Sequence, residues 1–224
     1  MNYKNIVEGR FIARPNRFVA YAEINGRTEV CHVKNTGRCK ELLTEGCTVW
    51  LEKAEPSAKR KTLYDLVAVR KGDRLINMDS AAPNRAAAEF LPKIFPGGGI
   101  KPEYSYGNSR FDFYIEENGK RILLEVKGVT LEQDGIAMFP DAPTERGLKH
   151  VGELTRCLGE GFETYLLFVI QMEDVQYFAP NDVTHPAFGQ ALRQAAEKGV
   201  KLLAYDCKVT PGSMTVRDKV EIRL

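Results

Sequence analysis

Asp112, Glu125 and Lys127 lie in one short stretch, SRFDFYIEENGKRILLEVKG at positions 109–128. Phe111, Phe113 and Ile115 alternate with Arg110, Asp112 and Tyr114, the period of a half-buried strand. Asn118-Gly119 is a strong hairpin signal, because a type I′ turn needs positive φ at both central residues. With that loop Glu117 pairs with Lys120, Asp112 faces Glu125, and Arg110 faces Lys127. Opposed residues on one face have Cβ atoms about 4.5–5.5 Å apart, and two carboxylates so placed repel unless a cation lies between them or one is protonated. Leu123, Glu125 and Lys127 share a strand face, with Glu125 and Lys127 about 7 Å apart, pointing where Asp112 points. This pattern suggests a metal site; the alternative is an ion cluster on an exposed sheet face.

The elements that must hold this hairpin follow from the flanking sequence. Asp79-Ser80-Ala81-Ala82-Pro83 reads as a linker, and Asn84 as the cap of a helix from Arg85 to Lys93 that stops before Pro96 and Gly97-Gly98-Gly99. A short strand near 100–106 precedes the hairpin. Thr144 is placed to cap a helix to about Gly159, with Leu148, Val151, Leu154 and Leu158 as its apolar stripe. Tyr165–Ile170 is a continuous apolar run, as in a strand covered on both faces. A helix with Phe188, Leu192, Ala195 and Ala196, then a strand at Val200–Tyr205, complete an α/β domain with a mixed sheet. The long loop Gly128–Pro143 reads either as a lid over the site or as a packed crossover.

The front of the chain reads differently. Candidate strands at Ile6–Ala13, Phe18–Ile24, Thr28–His32, Thr48–Lys53, Leu63–Arg70 and Arg74–Met78, with a short helix at Cys39–Leu43, predict a small OB-like β-barrel over residues 1–80. The remainder, 81–224, is the second domain. Residues 1–80 carry five more basic than acidic side chains, and residues 81–224 three fewer. Arg14, Arg17, Lys34, Arg38, Lys40 and the run Lys59-Arg60-Lys61 lie among Phe18, Tyr21 and Tyr64. Such a basic, aromatic-bearing barrel suits a nucleic-acid strand; alternatively the rings are core and the basic run is a solvated loop.

The composition, 43% hydrophobic and 28% charged, is that of an ordinary globular protein. Five cysteines without a CxxC pair and only three histidines exclude a zinc module and a disulfide framework, and predict buried thiols in a reducing, cytoplasmic setting. No apolar run is long enough for a membrane span.

An aspartate followed about a dozen residues later by Glu-x-Lys, here Asp112 and Glu125-Val126-Lys127, resembles the core of the PD-(D/E)XK nuclease superfamily. The run GNSRFDFYI…LLEVKGVTL…AMFPDAPTERGLKHVGEL, with PNRAAAEFL ahead of it and HVKNTGR at 32–38, closely resembles the sugar fermentation stimulation protein A family. The resemblance implies a two-domain chain, an OB-like barrel followed by a restriction-endonuclease-like α/β domain, together with DNA binding and a regulatory link to sugar (maltose) metabolism. It implies that Asp112 and Glu125 hold Mg²⁺ or Mn²⁺ and that Lys127 orients a water and stabilises charge on phosphorus. Superfamily members often add a helical glutamate, for which Glu89 is the candidate and Glu103 the alternative. Gly128 stands where relatives often carry asparagine. Arg110, Arg146, Lys149 and His150 are placed to contact phosphate, although His150 reads equally as a helix-face histidine. Two functions follow: a metal-dependent nuclease on DNA or RNA, or a DNA-binding regulator without turnover, in either case with a homodimer open. No helix-turn-helix is evident, and a protein-interaction scaffold fits the basic barrel poorly.

Overall fold

The computed structural model describes residues 1–35, 37–55 and 61–224. Lys59 and Arg60 therefore lie outside the described residues. Six strands open the chain: β1 (Ile6–Asn16), β2 (Val19–Ile24), β3 (Arg27–Val33), β4 (Thr48–Lys53), β5 (Tyr64–Lys71) and β6 (Arg74–Asn77). β3 closes on β5 in parallel, so β1-β2-β3-β5-β4 form a closed five-stranded OB barrel, with β6 appended to β5. β1 is the strand that bends to make this possible. Its first half pairs with β4 and its second with β2, across two register shifts. Gly9 sits at the crossing, where a Cβ would stand 2.8 Å from the Glu23 carbonyl. The turn Asn25-Gly26 has φ of 51° and 75°, the primed hairpin its sequence predicts. Cys39–Leu43 is a single turn rather than a helix, closed by the Leu42 and Leu43 amides on the Cys39 carbonyl.

The rest comprises α1 (Ala82–Ile94), β7 (Gly99–Tyr106), β8 (Ser109–Glu117), β9 (Lys120–Val129), β10 (Leu131–Gln133), β11 (Ile136–Phe139), α2 (Glu145–Leu158), β12 (Glu163–Ile170), β13 (Tyr177–Pro180), α3 (Pro186–Lys198), β14 (Lys201–Thr210) and β15 (Ser213–Lys219). A mixed sheet runs β15-β14-β12-β9-β8-β7, parallel only at β9–β12–β14. α1 buries Ala82, Ala86, Ala87 and Leu91 with Leu124, Val126, Leu167 and Val169. α2 and α3 bury Val151, Leu154, Phe188 and Leu192 with Leu123, Leu166 and Phe168. The loop at 128–143 is a packed crossover: β10 and β11 form a hairpin, β11 pairs in parallel with β13, and Phe139 packs on Phe168 and Phe188. All five cysteines are free thiols, and burial pushes those of Cys31 and Cys39 up to about 12. Among the described residues no helix is long and apolar enough to cross a membrane.

The stretch read as a linker is a packed joint built on Asp79. Asp79 is fully buried. Its carboxylate accepts from Tyr3 Oη at 3.2 Å, Ala81 N at 2.9 Å and Arg85 at 2.8 Å, and Lys34 Nζ of the barrel lies 3.6 Å away. α1 then begins at Ala82 with Pro83 in its first turn, so Asn84 lies inside the helix instead of capping it. The segment Met1–Tyr3 leaves the barrel to run beside β15, with Tyr3 N donating to Gly212 O at 2.8 Å. We expect Asp79→Ala to lower stability to urea by about 2–3 kcal/mol, the loss for a buried ion pair discounted because Lys34 and Arg85 are part exposed. Tyr3→Phe, which removes the bond donated to Asp79 and the one accepted from Asn77 Nδ2 at 2.9 Å, should lose about 2 kcal/mol.

Candidate functional site

The hairpin of β8 and β9 has the register its turn predicts, from Glu117↔Lys120 to Phe113↔Leu124, with Asn118 and Gly119 at φ 51° and 76°. The ladder ends there, one pair short of Asp112 and Glu125. Asp112 is the reason: its Oδ2 accepts from Val126 N at 2.7 Å, replacing the backbone acceptor that the next rung would supply. The strands part without leaving that amide bare, and a cavity of about 240 Å³ opens between them, α1 and α2. Asp112, Glu125 and Lys127 all line it, joined by Ser80, Asn84, Thr144 and Arg146.

Each side chain is fixed by a different element. Asn84 of α1 donates to Asp112 Oδ1 at 2.7 Å. α1 can approach this closely because Gly128 has no side chain; a Cβ there would stand 2.6 Å from Pro83 Cγ and 2.5 Å from Gln171 Oε1. Glu125 is 2% exposed. Its Oε1 accepts from Lys127 Nζ at 2.7 Å and from His150 Nδ1 of α2. Arg146 Nε donates to His150 Nε2 at 3.5 Å, and Lys127 Nζ lies 3.4 Å from His150 Nδ1. Glu125 Oε2 is buried and has no partner. Thr144 caps α2 by accepting from Gly147 N at 2.9 Å, so the amide end of that helix opens on the cavity.

The two carboxyls are driven in opposite directions. Burial, and then the charge of Glu125, push Asp112 up. Burial would also raise Glu125, but hydrogen bonds from His150 and Lys127 outweigh it and hold that carboxyl below its usual range. Two oxygen donors, one buried oxygen lacking a partner and a net repulsion between carboxylates fit a hard divalent cation completed by water and a substrate oxygen. Among the described residues no group of three His, Cys, Asp or Glu side chains stands ready to hold a metal, so Asp112 and Glu125 would be its protein ligands.

Several expected site residues stand elsewhere. Glu89 points away from the cavity and pairs with the Met1 amino group at 2.7 Å, because α1 turns its alanine face and Asn84, not Glu89, toward β9 and Asp112. Glu103 and Arg110 pair with each other at 3.6 Å, both exposed; Arg110 lies opposite Ser105 of β7 and has no partner in β9, since the β8–β9 ladder has already ended at Phe113 and Leu124. Lys149 is exposed and does not line the cavity. Arg14 donates to the carbonyls of Arg17, Asn35, Gly37 and Arg38, and Lys34 lies near Glu52, Asp65 and Asp79, so neither offers a free charge to phosphate. Arg17 and Arg38 line a separate cleft on the barrel, and Lys61 is exposed. Sequence reasoning missed Asn84 and Ser80 as members of the site. For His150 a signal existed: it falls three residues after Gly147 and one before Val151, both buried on the inner face of α2.

Profiles described as the SfsA N-terminal OB domain and the sugar fermentation stimulation protein RE domain match residues 12–78 and 81–213. The chain belongs to the sugar fermentation stimulation protein family. Homologues carrying that name in Desulfitobacterium hafniense (strain Y51) and Ruminiclostridium cellulolyticum are each 55% identical, covering all of this chain and 99% and 100% of theirs. Among solved structures, Pyrococcus furiosus SfsA in complex with Ca²⁺ is similar over the whole chain, at a TM-score of 0.89 and 28% identity, with 98% of that chain covered. The cavity gives a prediction that needs no ligand. Asp112→Asn removes a half-buried carboxylate repelled by Glu125, and without divalent ions it should raise Tm by about 2–4 °C, the shift for roughly 1 kcal/mol at this size, read by calorimetry in EDTA.

Proposed function

We propose that the chain is a divalent-metal-dependent phosphodiesterase acting on nucleic acid, DNA foremost, with Mg²⁺ or Mn²⁺ held by Asp112 and Glu125. The observation that carries this reading is that Asp112 and Glu125 line one cavity while Glu125 keeps a buried oxygen, Oε2, without a partner. The solved structure of Pyrococcus furiosus SfsA in complex with Ca²⁺ supports it. When bound, the ion would polarise a phosphodiester oxygen and acidify a water. The chain's own groups do the rest. Asn84 and Val126 N hold Asp112 in place. His150 holds Glu125 through Oε1, leaving Oε2 free. Lys127, 2.7 Å from Glu125, supplies a positive charge for the oxyanion that develops on phosphorus and a donor that orients the attacking water. Arg146 and the amide end of α2 receive the phosphate. On the barrel, Phe18, Tyr21 and Val30 are exposed, with Tyr21 and Val30 paired across β2 and β3, a face suited to a stacked strand; Tyr64 instead packs against the core.

The homologues' name, sugar fermentation stimulation protein, speaks of sugar fermentation and not of hydrolysis, and a second reading is a DNA-binding regulator without turnover. One assay separates the two. Labelled single- and double-stranded DNA and RNA are incubated with Mg²⁺ or Mn²⁺ and the wild-type protein, Asp112→Asn or Lys127→Ala. The enzyme reading expects metal-dependent cleavage that falls at least about 100-fold in both variants. Binding without cleavage in any metal, unaffected by the substitutions, would leave only the regulator. His150→Ala should weaken Mn²⁺ binding by about 10- to 100-fold, the usual effect of losing a group that orients a metal ligand, measured by titration calorimetry.

A further inference from the structure

We infer that a second cleft, on the barrel, is a nucleotide subsite, taking the base and phosphate of an unpaired nucleotide. It deepens the function proposed above and rests on that reading only for where a bound strand leads. The cleft holds about 400 Å³, between the β1–β2 turn and the loop after β3, within the size range of small-molecule sites. Its floor is apolar: Phe11, Cys39 and Leu43, exposed by 4%, 1% and 8%. Its rim is cationic, with Arg17, Arg38 and Lys40, and among the described residues no acidic side chain lines it. Asp141, which packs against Gly37, accepts from the Arg38 amide and does not line the cleft.

The cleft is preformed. The Arg14 guanidinium donates to four carbonyls, Asn35 at 2.6 Å, Arg17 at 2.8 Å and Gly37 and Arg38 at 2.9 Å each, tying the two loops that wall it. Beside it Phe18 is 47% exposed under the Arg17 guanidinium, 4.8 Å from the ring centroid. An inorganic anion would leave the apolar floor unused, and an apolar ligand would strand the cations. A planar base carrying a phosphate satisfies both. The same loop reaches the metal cavity: Gly37 lines the cleft, while the Lys34 carbonyl accepts from the hydroxyl of Ser80, which lines the cavity. A strand gripped by the barrel is thereby held beside Asp112 and Glu125.

The test reads binding alone, in EDTA, on the full-length Asp112→Asn protein. The probes are labelled ten-residue oligothymidylate, an abasic ten-mer of equal charge, and thymidine 5′-monophosphate as competitor. The abasic strand should bind about 10-fold more weakly, within the range for losing a stacked base. Adding Arg17→Ala and Lys40→Ala together should lower the slope of log K against log salt by about 1.4, roughly 0.7 for each phosphate contact of a single strand, with Tm unchanged. Competition by the monophosphate would extend the site to free nucleotides; its absence, with base-dependent binding retained, would assign it to the strand. Equal binding of the abasic strand, an unchanged salt slope, or no oligonucleotide binding at all would overturn the subsite. Metal-dependent cleavage by the wild-type chain, assayed separately, stands or falls independently of these outcomes.

Discussion

A carboxylate that is fully buried must collect partners, because an unpaired charge away from water costs several kcal/mol. Asp79 collects them from every direction: Lys34 from the barrel, Tyr3 from the amino-terminal segment, the Ala81 amide and Arg85 from the start of α1. Asn77 and Gln171 close the network, Gln171 donating to Asn77 Oδ1 at 3.0 Å and to the Asp79 carbonyl at 3.2 Å. These bonds set where α1 starts and how the barrel seats on the mixed sheet, and the position of the catalytic candidates follows from both.

At the hairpin the electrostatic constraint is reversed. Here two carboxylates share one cavity and are given unequal company. Glu125 has two strong donors, one of them a cation, whereas Asp112 has the neutral donors Asn84 and Val126 N. The asymmetry holds the Glu125 carboxyl below its usual range and pushes that of Asp112 up. It also resolves a backbone problem, since the side chain that interrupts the ladder satisfies the amide it exposes.

What could be read in advance was local. Asn118-Gly119 and strand alternation carried the hairpin register as far as Phe113 and Leu124, because turn geometry and side-chain period are properties of neighbouring residues. The end of the ladder was not legible, since it depends on one side chain outcompeting the backbone. Glu89 was misplaced for a related reason: a helix was evident, but its rotation is set by Pro83 resting against Gly128 and by alanines packing on distant strands. Counting basic residues could not separate Arg14 and Lys34, which face inward to carbonyls and carboxylates, from Arg17 and Lys40, which do not. β10, β11 and β13 are too short to announce themselves and exist through a parallel pairing across forty residues of chain.

Asn84 and Arg85 are consecutive in sequence, yet one holds Asp112 and the other holds Asp79. α1 is thus a rod with two hooks at the same end, one in the joint between the domains and one in the cavity. Whatever shifts the seating of the barrel is transmitted to the hydrogen bond on Asp112 without passing through the sheet. The first turn of one helix thus fixes both the carboxylate of the joint and the carboxylate of the cavity.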